Sequence, residues 1–147
     1  MNIARLLEPL DSAALADFVG ALDEVNAEAD SAPGFLWRLQ AEDGNATSIS
    51  AFQWDTDGTA GVIVNLSTWT SIDALRDFIY SGQHVAALRR RREWFHNVQA
   101  ATTALWWVPA GHRPTTQEAE AKIRQLREHG PTPAAFTLRV TFEPVGV

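Results

Sequence analysis

The chain has 147 residues, of which 46% are hydrophobic and 20% are charged, and its formal net charge is −6. These values are typical of one globular domain, here residues 1–147, and the acidic balance argues against general nucleic-acid binding, which needs a basic surface. Cysteine is absent, which excludes disulfides and cysteine-based metal sites or nucleophiles.

The start of the chain lacks the charged segment, continuous apolar stretch and small-residue cleavage site of an export signal. No apolar run approaches the roughly 18 residues that suggest a membrane span. We therefore expect a cytoplasmic protein without a membrane partner.

In the first half of the chain, a strand is predicted over residues 3–10, followed by a helix from Asp11 or Ser12 to about Ala29. The helix is predicted because apolar residues recur at three- and four-residue steps. Further strands are predicted over residues 35–39 and 49–54, with turns at 43–45 and 55–58. Residues 62–69 are almost entirely apolar or β-branched and predict a central strand.

In the second half, Thr70 or Ser71 is expected to cap a helix that stops at Ser81-Gly82. A second helical piece follows over about 84–98, then a strand over 103–108. A helix from Thr115 or Thr116 to 129–130 and a last strand over 135–142 complete the chain. This order predicts an α+β fold of ferredoxin-like kind, with helices on one face of an antiparallel sheet.

Several segments resemble a known superfamily. The dimeric α/β-barrel superfamily, which includes the antibiotic-biosynthesis monooxygenases, has a strand-to-helix signature similar to Asn65-Leu66-Ser67-Thr68-Trp69-Thr70-Ser71 with Ala74, Leu75, Phe78, Ser81 and His84. Within it, the chain resembles an uncharacterised bacterial family over nearly its whole length. The segments that carry this likeness include Pro33-Gly34-Phe35-Leu36-Trp37-Arg38-Leu39, Arg89-Arg90-Arg91-Arg92-Glu93-Trp94-Phe95 and Leu105-Trp106-Trp107-Val108-Pro109-Ala110-Gly111-His112.

The resemblance implies a homodimer whose two sheets pack face to face into a barrel, with a cavity in each protomer between sheet and helices. Residues 62–69 agree with two covered faces. One face of this strand would be mixed polar and aromatic, and the other would be almost entirely apolar or β-branched. The first consists of Ile63, Asn65, Ser67 and Trp69, and the second of Val62, Val64, Leu66 and Thr68. The helices would cover one face. A partner sheet is the simplest cover for the other.

Three residues are candidates for catalysis. His84 matches the superfamily's helix-end histidine, from which some relatives contact ligand, and a neutral imidazole can act as acid, base or donor. Asn65 needs a hydrogen-bond partner if it is buried, and that partner can be substrate, water or backbone. Arg91 shares a helical line with Val85, Leu88 and Phe95, which would draw it toward the core and toward an anionic ligand. A structural role remains the alternative for each.

Aromatic residues are the candidate walls of the substrate-binding cavity. The set comprises Trp69, Tyr80, Trp94, Trp37 and Trp107, together with His96. Core packing is the alternative for any one of them. Arg89, Arg90 and Arg92 are expected to form a solvated helix turn.

The chemistry expected from these groups needs no cofactor, because the chain has no His-x-x-x-His spacing and no glycine-rich strand-to-helix loop. We expect acid/base catalysis on an apolar aromatic or polyketide-like molecule, of the kind found in secondary metabolism: cyclisation, isomerisation, elimination or a monooxygenase-like oxidation. One alternative is a protein that binds a small molecule without turnover, including haem at His84 by analogy with distant relatives. The other is a purely structural dimer.

Overall fold

The computed structural model describes residues 1–146 and shows a mixed α+β fold, as predicted. The strands are β1 (Asn2–Arg5), β2 (Phe35–Arg38), β3 (Val62–Asn65) and β4 (Ser67–Trp69). The α-helices are α1 (Ala16–Ser31), α2 (Ile72–Ile79), α3 (Gly82–Arg89), α4 (Arg91–Trp94) and α5 (Thr116–His129). Within this described range, none of the helices combines the length and the apolar character that crossing a bilayer requires.

The strands form two small antiparallel sheets that meet at Leu66. β1 pairs with β3, placing Ile3 opposite Val64, and β2 pairs with β4. Leu66 lies between β3 and β4, and its carbonyl accepts a hydrogen bond from the Leu39 amide at 2.8 Å. The prediction of one continuous strand over residues 62–69 is therefore wrong in detail, because the pairing partner changes from β1 to β2 at Leu66.

The predicted strands over residues 103–108 and 135–142 are wrong, because only isolated pairs form there. Thr103 pairs with Asn2, and Leu105 pairs with Phe136. The chain turns directly after Phe136, since the hydroxyl of Thr137 accepts hydrogen bonds from the amides of residues 139 and 140 at 3.3 and 3.2 Å. That local turn takes up amides that a longer strand would have paired across the sheet.

The predicted strand over residues 49–54 is also absent. Phe52 adopts a left-handed backbone conformation, with φ 58° and ψ 33°, and Gln53–Asp55 forms a 3-10 turn. The Phe52 amide donates to Glu120 Oε1 on α5 at 2.6 Å instead of to a neighbouring strand. The predicted turn at residues 43–45 is present, with φ 85° at Gly44, but it leads into this irregular segment.

Helices α1, α2 and α5 lie where the sequence predicts them. The Ser71 hydroxyl caps α2 by accepting from the Ala74 amide, and the Thr115 hydroxyl caps α5 in the same way. The single helix predicted over residues 84–98 is wrong. It is divided at Arg90 and ends at Trp94, because Phe95 is extended and pairs with Leu6 beside β1.

Both faces of the β1–β3 sheet are covered by this chain itself. One face packs with α5 and Phe52; its core residues include Ile3, Val64, Leu66, Ile123 and Leu126. The other face packs with α1 and α4; its core residues include Leu6, Leu15 and Trp94, with Phe18 and Ile63 against them. A partner sheet is thus not needed to explain two covered faces, and the homodimer stays a prediction.

Candidate functional site

A cavity of about 370 Å³ lies between the β1–β3 sheet and the helices α1 and α3. Ala4 and Ile63, which pair across the two strands, form its sheet side. Phe18, Leu22 and Val25 line it from the apolar face of α1. Its volume falls within the roughly 300–1,000 Å³ of small-molecule sites.

Helix α3 contributes another wall with one of its faces. Ala87 and Leu88 line the cavity three and four residues after His84, the spacing of one helix face, and Arg91, the first residue of α4, lines it beyond the break at Arg90. The sequence predicted that Arg91 shares a helix face with Val85. In the structure, the residue of this segment that lines the cavity with Arg91 is His84, and Val85 does not line it. A titratable group therefore lies on the same face as two apolar residues.

The start of α3 is fixed against α1 by Glu28. Its carboxylate accepts a hydrogen bond from the Gln83 amide at 3.0 Å. A Cβ at Gly82, where φ is +52°, would lie only 2.6 Å from Glu28 Oε2. Glycine at position 82 thus permits both the turn and the close approach of the two helices.

His84 is partly buried, and one of its ring nitrogens is already in use. Nδ1 lies 2.9 Å from the Ile79 carbonyl oxygen, a contact that requires Nδ1–H as donor. The neutral ring then carries an unprotonated Nε2, which can accept a hydrogen bond or a proton. Burial lowers the pKa of His84, and the Ile79 carbonyl and Glu28 offset this lowering in part.

We expect His84 to titrate below the ordinary histidine pKa of about 6.5. A folded-state pKa below the unfolded one means that the unfolded chain binds this proton first as the pH falls. The contribution of His84 to stability is therefore complete above the unfolded pKa and is lost as the pH falls below it. NMR titration of the imidazole protons measures the shift.

Replacing Glu28 with glutamine should lower the pKa of His84 further, because a carboxylate that favours the imidazolium is removed. Glu24→Gln, on the exposed side of α1, is the matched control and should leave it unchanged. A His84 pKa at or above the ordinary value would contradict the burial described here.

Part of the cavity lining is exposed to solvent. The exposed residues among those lining it, which we call the mouth, are Asn2, Asn65, Arg91, Arg92 and Asn97. Asn65 is exposed at the end of β3, so the condition of burial under which it would need a partner is not met. The expectation for Arg91 is corrected. Arg91 is exposed rather than drawn into the core, because α4 begins there, and its Nη1 donates to the Leu88 carbonyl at 2.8 Å.

Trp94 and His96 also line the cavity. Trp94 is 3% exposed, and its ring centroid lies 5.4 Å from that of Phe18. His96 is partly buried, and its amide donates to the Arg5 carbonyl at 2.8 Å, which holds it beside β1. The cavity therefore brings together five predicted site residues: His84, Asn65, Arg91, Trp94 and His96.

The other four predicted wall residues lie away from the cavity. Trp69 stacks on Phe78 at 5.1 Å and, with Trp107, lines a separate pocket of about 100 Å³. Trp37 packs against the core on the α5 side of the sheet. Tyr80 is 65% exposed, because it lies just beyond the end of α2. The prediction relied on proximity along the chain. In the fold, successive side chains of a strand lie on opposite faces of the sheet, which separates these aromatic residues from the cavity.

Some lining residues were not recognised as site residues from the sequence. Phe18, Leu22 and Val25 were identified only as a buried helix face, although that periodicity was the available signal. Arg92 was assigned to a solvated turn. Arg90, assigned likewise, is held by Asp17 and Glu93, and its guanidinium lies 4.8 Å from the Trp94 ring centroid.

In residues 1–146, no group of three or more His, Asp or Glu side chains is placed to hold a metal ion. A family model described as "Domain of unknown function (DUF3291)" matches the chain over residues 1–147. No curated protein and no solved structure matches it. The comparisons therefore support an uncharacterised family and provide no link to the antibiotic-biosynthesis monooxygenases.

Proposed function

The chain belongs to the family of the domain of unknown function DUF3291, and we propose for it a function based on the cavity. The protein is a small-molecule enzyme that binds an apolar aromatic or polyketide-like substrate between sheet and helices. His84 moves a proton in a cofactor-independent cyclisation, isomerisation, elimination or monooxygenase-like oxidation. The observation that carries this proposal is the orientation of a neutral imidazole by the Ile79 carbonyl in a largely apolar cavity.

His84 has the properties that a general base requires. The hydrogen bond from Nδ1–H to the carbonyl of Ile79 fixes the tautomer, so that Nε2 is the basic nitrogen. Within residues 1–146, Nε2 has no hydrogen-bond partner of its own. Burial keeps the ring neutral near pH 7, which is the form that accepts a proton.

Arg91 and Asn65 are the candidates for stabilising negative charge that develops on a substrate oxygen. Both line the cavity at its mouth, and both carry N–H donors that are free of carboxylate partners in residues 1–146. Donors aimed at a developing oxyanion lower the barrier of proton abstraction next to a carbonyl. Trp94, which is 3% exposed, supports the apolar side of the cavity from behind Phe18 and contributes little surface of its own.

The second candidate function is binding without turnover. The same enclosed apolar surface would hold a small molecule whether or not His84 exchanges a proton with it. Most lining residues from α1 and the sheet are uncharged, and this supports binding without turnover as much as it supports catalysis. The two candidates differ only in what the loss of the imidazole changes.

A test for a base in the cavity uses nitrobenzisoxazole, an aromatic carbon acid. When a base removes its ring C–H proton, the electron pair forms a nitrile, the N–O bond opens and a coloured phenolate is released. We expect the rate to rise with pH and to level off above the pKa of His84. His84→Ala should lower it about 100-fold or more, the usual contribution of a positioned general base.

His129→Ala is the matched control, since this histidine is exposed at the end of α5 and should not affect the rate. If His84→Ala retains the rate while the probe still binds, the binding function stands and the enzyme is excluded. If the unmodified protein neither binds nor converts the probe, both candidates fail.

We also propose that the strand pairs of the overall fold are parts of one ferredoxin-like sheet. Across that sheet the order would be residues 102–105, β1, residues 62–69 and β2. The isolated pair of Asn2 with Thr103 supports the position beside β1. The homodimer is a separate proposal that the ferredoxin-like sheet does not require. In this chain α5 already covers the face that the partner sheet would cover in a barrel. Analytical ultracentrifugation decides it: a monomer at micromolar concentration excludes the barrel.

A further inference from the structure

The charged residues that line the cavity all have the same sign. They are Arg5, Arg38, Arg91 and Arg92, and no Asp or Glu is among the lining residues. The chain as a whole has 18 acidic and 12 basic residues. An acid-free lining in an acidic protein is therefore a property of this site and not of the overall composition.

The other two arginines of this group differ in how they are held. Arg38 donates to both carboxylate oxygens of Asp30, at 2.7 and 3.3 Å, and to the Gly44 carbonyl at 2.6 Å, so its guanidinium is already engaged. Arg5 donates to the Asp57 carbonyl at 2.7 Å, but its buried Nε has no hydrogen-bond partner within residues 1–146. Arg5 is only partly exposed and so does not belong to the mouth.

Arg91 and Arg92 differ from Arg38 in having no carboxylate partner within residues 1–146, and from Arg5 in being exposed. Arg91 donates only to the Leu88 carbonyl, and Arg92 has no hydrogen-bond partner or ion pair within residues 1–146. Both are exposed at the mouth. Arg90, which lies between α3 and α4, is by contrast held by the two carboxylates of Asp17 and Glu93. Two neighbouring guanidinium groups thus remain without a counter-ion at the mouth.

The rest of the lining is mostly apolar and includes Phe18, Leu22, Val25 and Ile63, although the partly buried Arg5, Arg38 and His84 also belong to it. A neutral apolar molecule would fill this part of the cavity but leave Arg91 and Arg92 without a partner. A molecule with several charges would lose hydration on entering it.

On the premise of the proposed function, we propose that the ligand of this cavity has an apolar body and a single anionic group. The body lies between α1 and the sheet, and the anionic group binds Arg91 and Arg92 at the mouth. Guanidinium groups bind carboxylate, sulfonate and phosphate oxygens through paired N–H donors. The substrate class is therefore an amphipathic organic acid.

Two related dyes test this proposal. Anilinonaphthalene sulfonate has a fused aromatic body with one sulfonate, and phenyl-naphthylamine has nearly the same body without it. Fluorescence titration of the folded protein should give tighter binding of the sulfonate. Only its affinity should fall with added salt, because salt screens exposed charges.

The double variant Arg91→Gln/Arg92→Gln should weaken the sulfonate by roughly 10-fold or more and leave the neutral dye unchanged, as expected for two charge-assisted contacts. Arg89→Gln/Arg113→Gln removes the same net charge at two exposed residues that do not line the cavity, and should change neither affinity. Equal binding of both dyes, or an equal effect of the two double variants, would overturn the anionic class.

Ala21→Phe locates the binding, because residue 21 lines the cavity from α1, whereas Ala27→Phe adds the same ring on the exposed side of that helix. Loss of both dyes with Ala21→Phe alone supports the cavity as their site. Loss with neither variant would overturn the proposed function itself. Retention of the neutral dye with no preference for the sulfonate would overturn only the anionic class.

Discussion

Replacing Phe52 with alanine is expected to lower the free energy of unfolding by about 3–5 kcal/mol, the usual cost of removing a fully buried phenyl group. The side chain is 0% exposed and packs in the core between α5 and the sheet, with Leu66 and Ile123. Chemical denaturation monitored by circular dichroism measures the loss. Tyr80→Ala, at a position that is 65% exposed, is the control and should change stability by less than about 0.5 kcal/mol.

The backbone of Phe52 adds a second expectation. Its φ of 58° lies in the left-handed region, which costs a residue with a Cβ about 1–2 kcal/mol. Glycine does not bear that cost, so Phe52→Gly should be more stable than Phe52→Ala by about 1 kcal/mol. At Ala29, buried within the regular helix α1, glycine should have the opposite effect. A Phe52→Gly variant less stable than Phe52→Ala would contradict the left-handed conformation.

Replacing Asp55 with alanine is expected to cost about 2–3 kcal/mol, somewhat less than the loss of one partner of a fully buried pair. Arg127 on α5 donates to both oxygens of Asp55, at 2.9 and 3.1 Å, and the two side chains are only 20% and 14% exposed. Without the carboxylate, a largely buried guanidinium keeps only its bond to the Ala101 carbonyl. Thermal unfolding measures the effect.

Asp30→Ala is the matched control for this pair. Arg38 also donates to both oxygens of Asp30, but that carboxylate is 48% exposed. Arg38 is itself only 14% exposed, but it keeps its bond to the Gly44 carbonyl and water reaches the position of the exposed carboxylate. We therefore expect the loss of Asp30 to cost less than the loss of Asp55. Equal losses in the two variants would show that burial does not determine the strength of the Asp55–Arg127 pair.

The parts of the fold that the sequence predicts correctly have local causes. Helices α1, α2 and α5 follow from apolar periodicity, and Ser71 and Thr115 are capping residues of the expected type. The parts that it misses depend on distant contacts. The left-handed Phe52 is held by Glu120 on α5, and the extended Phe95 is held by Leu6. No pattern within a few residues of either position encodes its partner.

The same distinction applies to the candidate site. His84 could be selected because it follows a helix break and matches the helix-end histidine of the superfamily that the sequence resembles. Its tautomer depends on Ile79, and its partial burial depends on the packing of α3 against α1, which the sequence does not encode locally. Arg92 is a further example, since its lack of an ion pair among the described residues depends on where the carboxylates of other elements lie. Residue type suggested which side chains to consider, and tertiary structure determines which of them lie together at the cavity.

The contact between Gly82 and Glu28 has a consequence for how this architecture can diverge. Neither residue lines the cavity, yet together they set how closely its two helical walls approach. A methyl group at position 82, or a shorter acid at position 28, would alter the width of the chamber while every lining side chain stayed the same. Related chains can therefore differ in the size of molecule that they admit without any change in the residues that touch it.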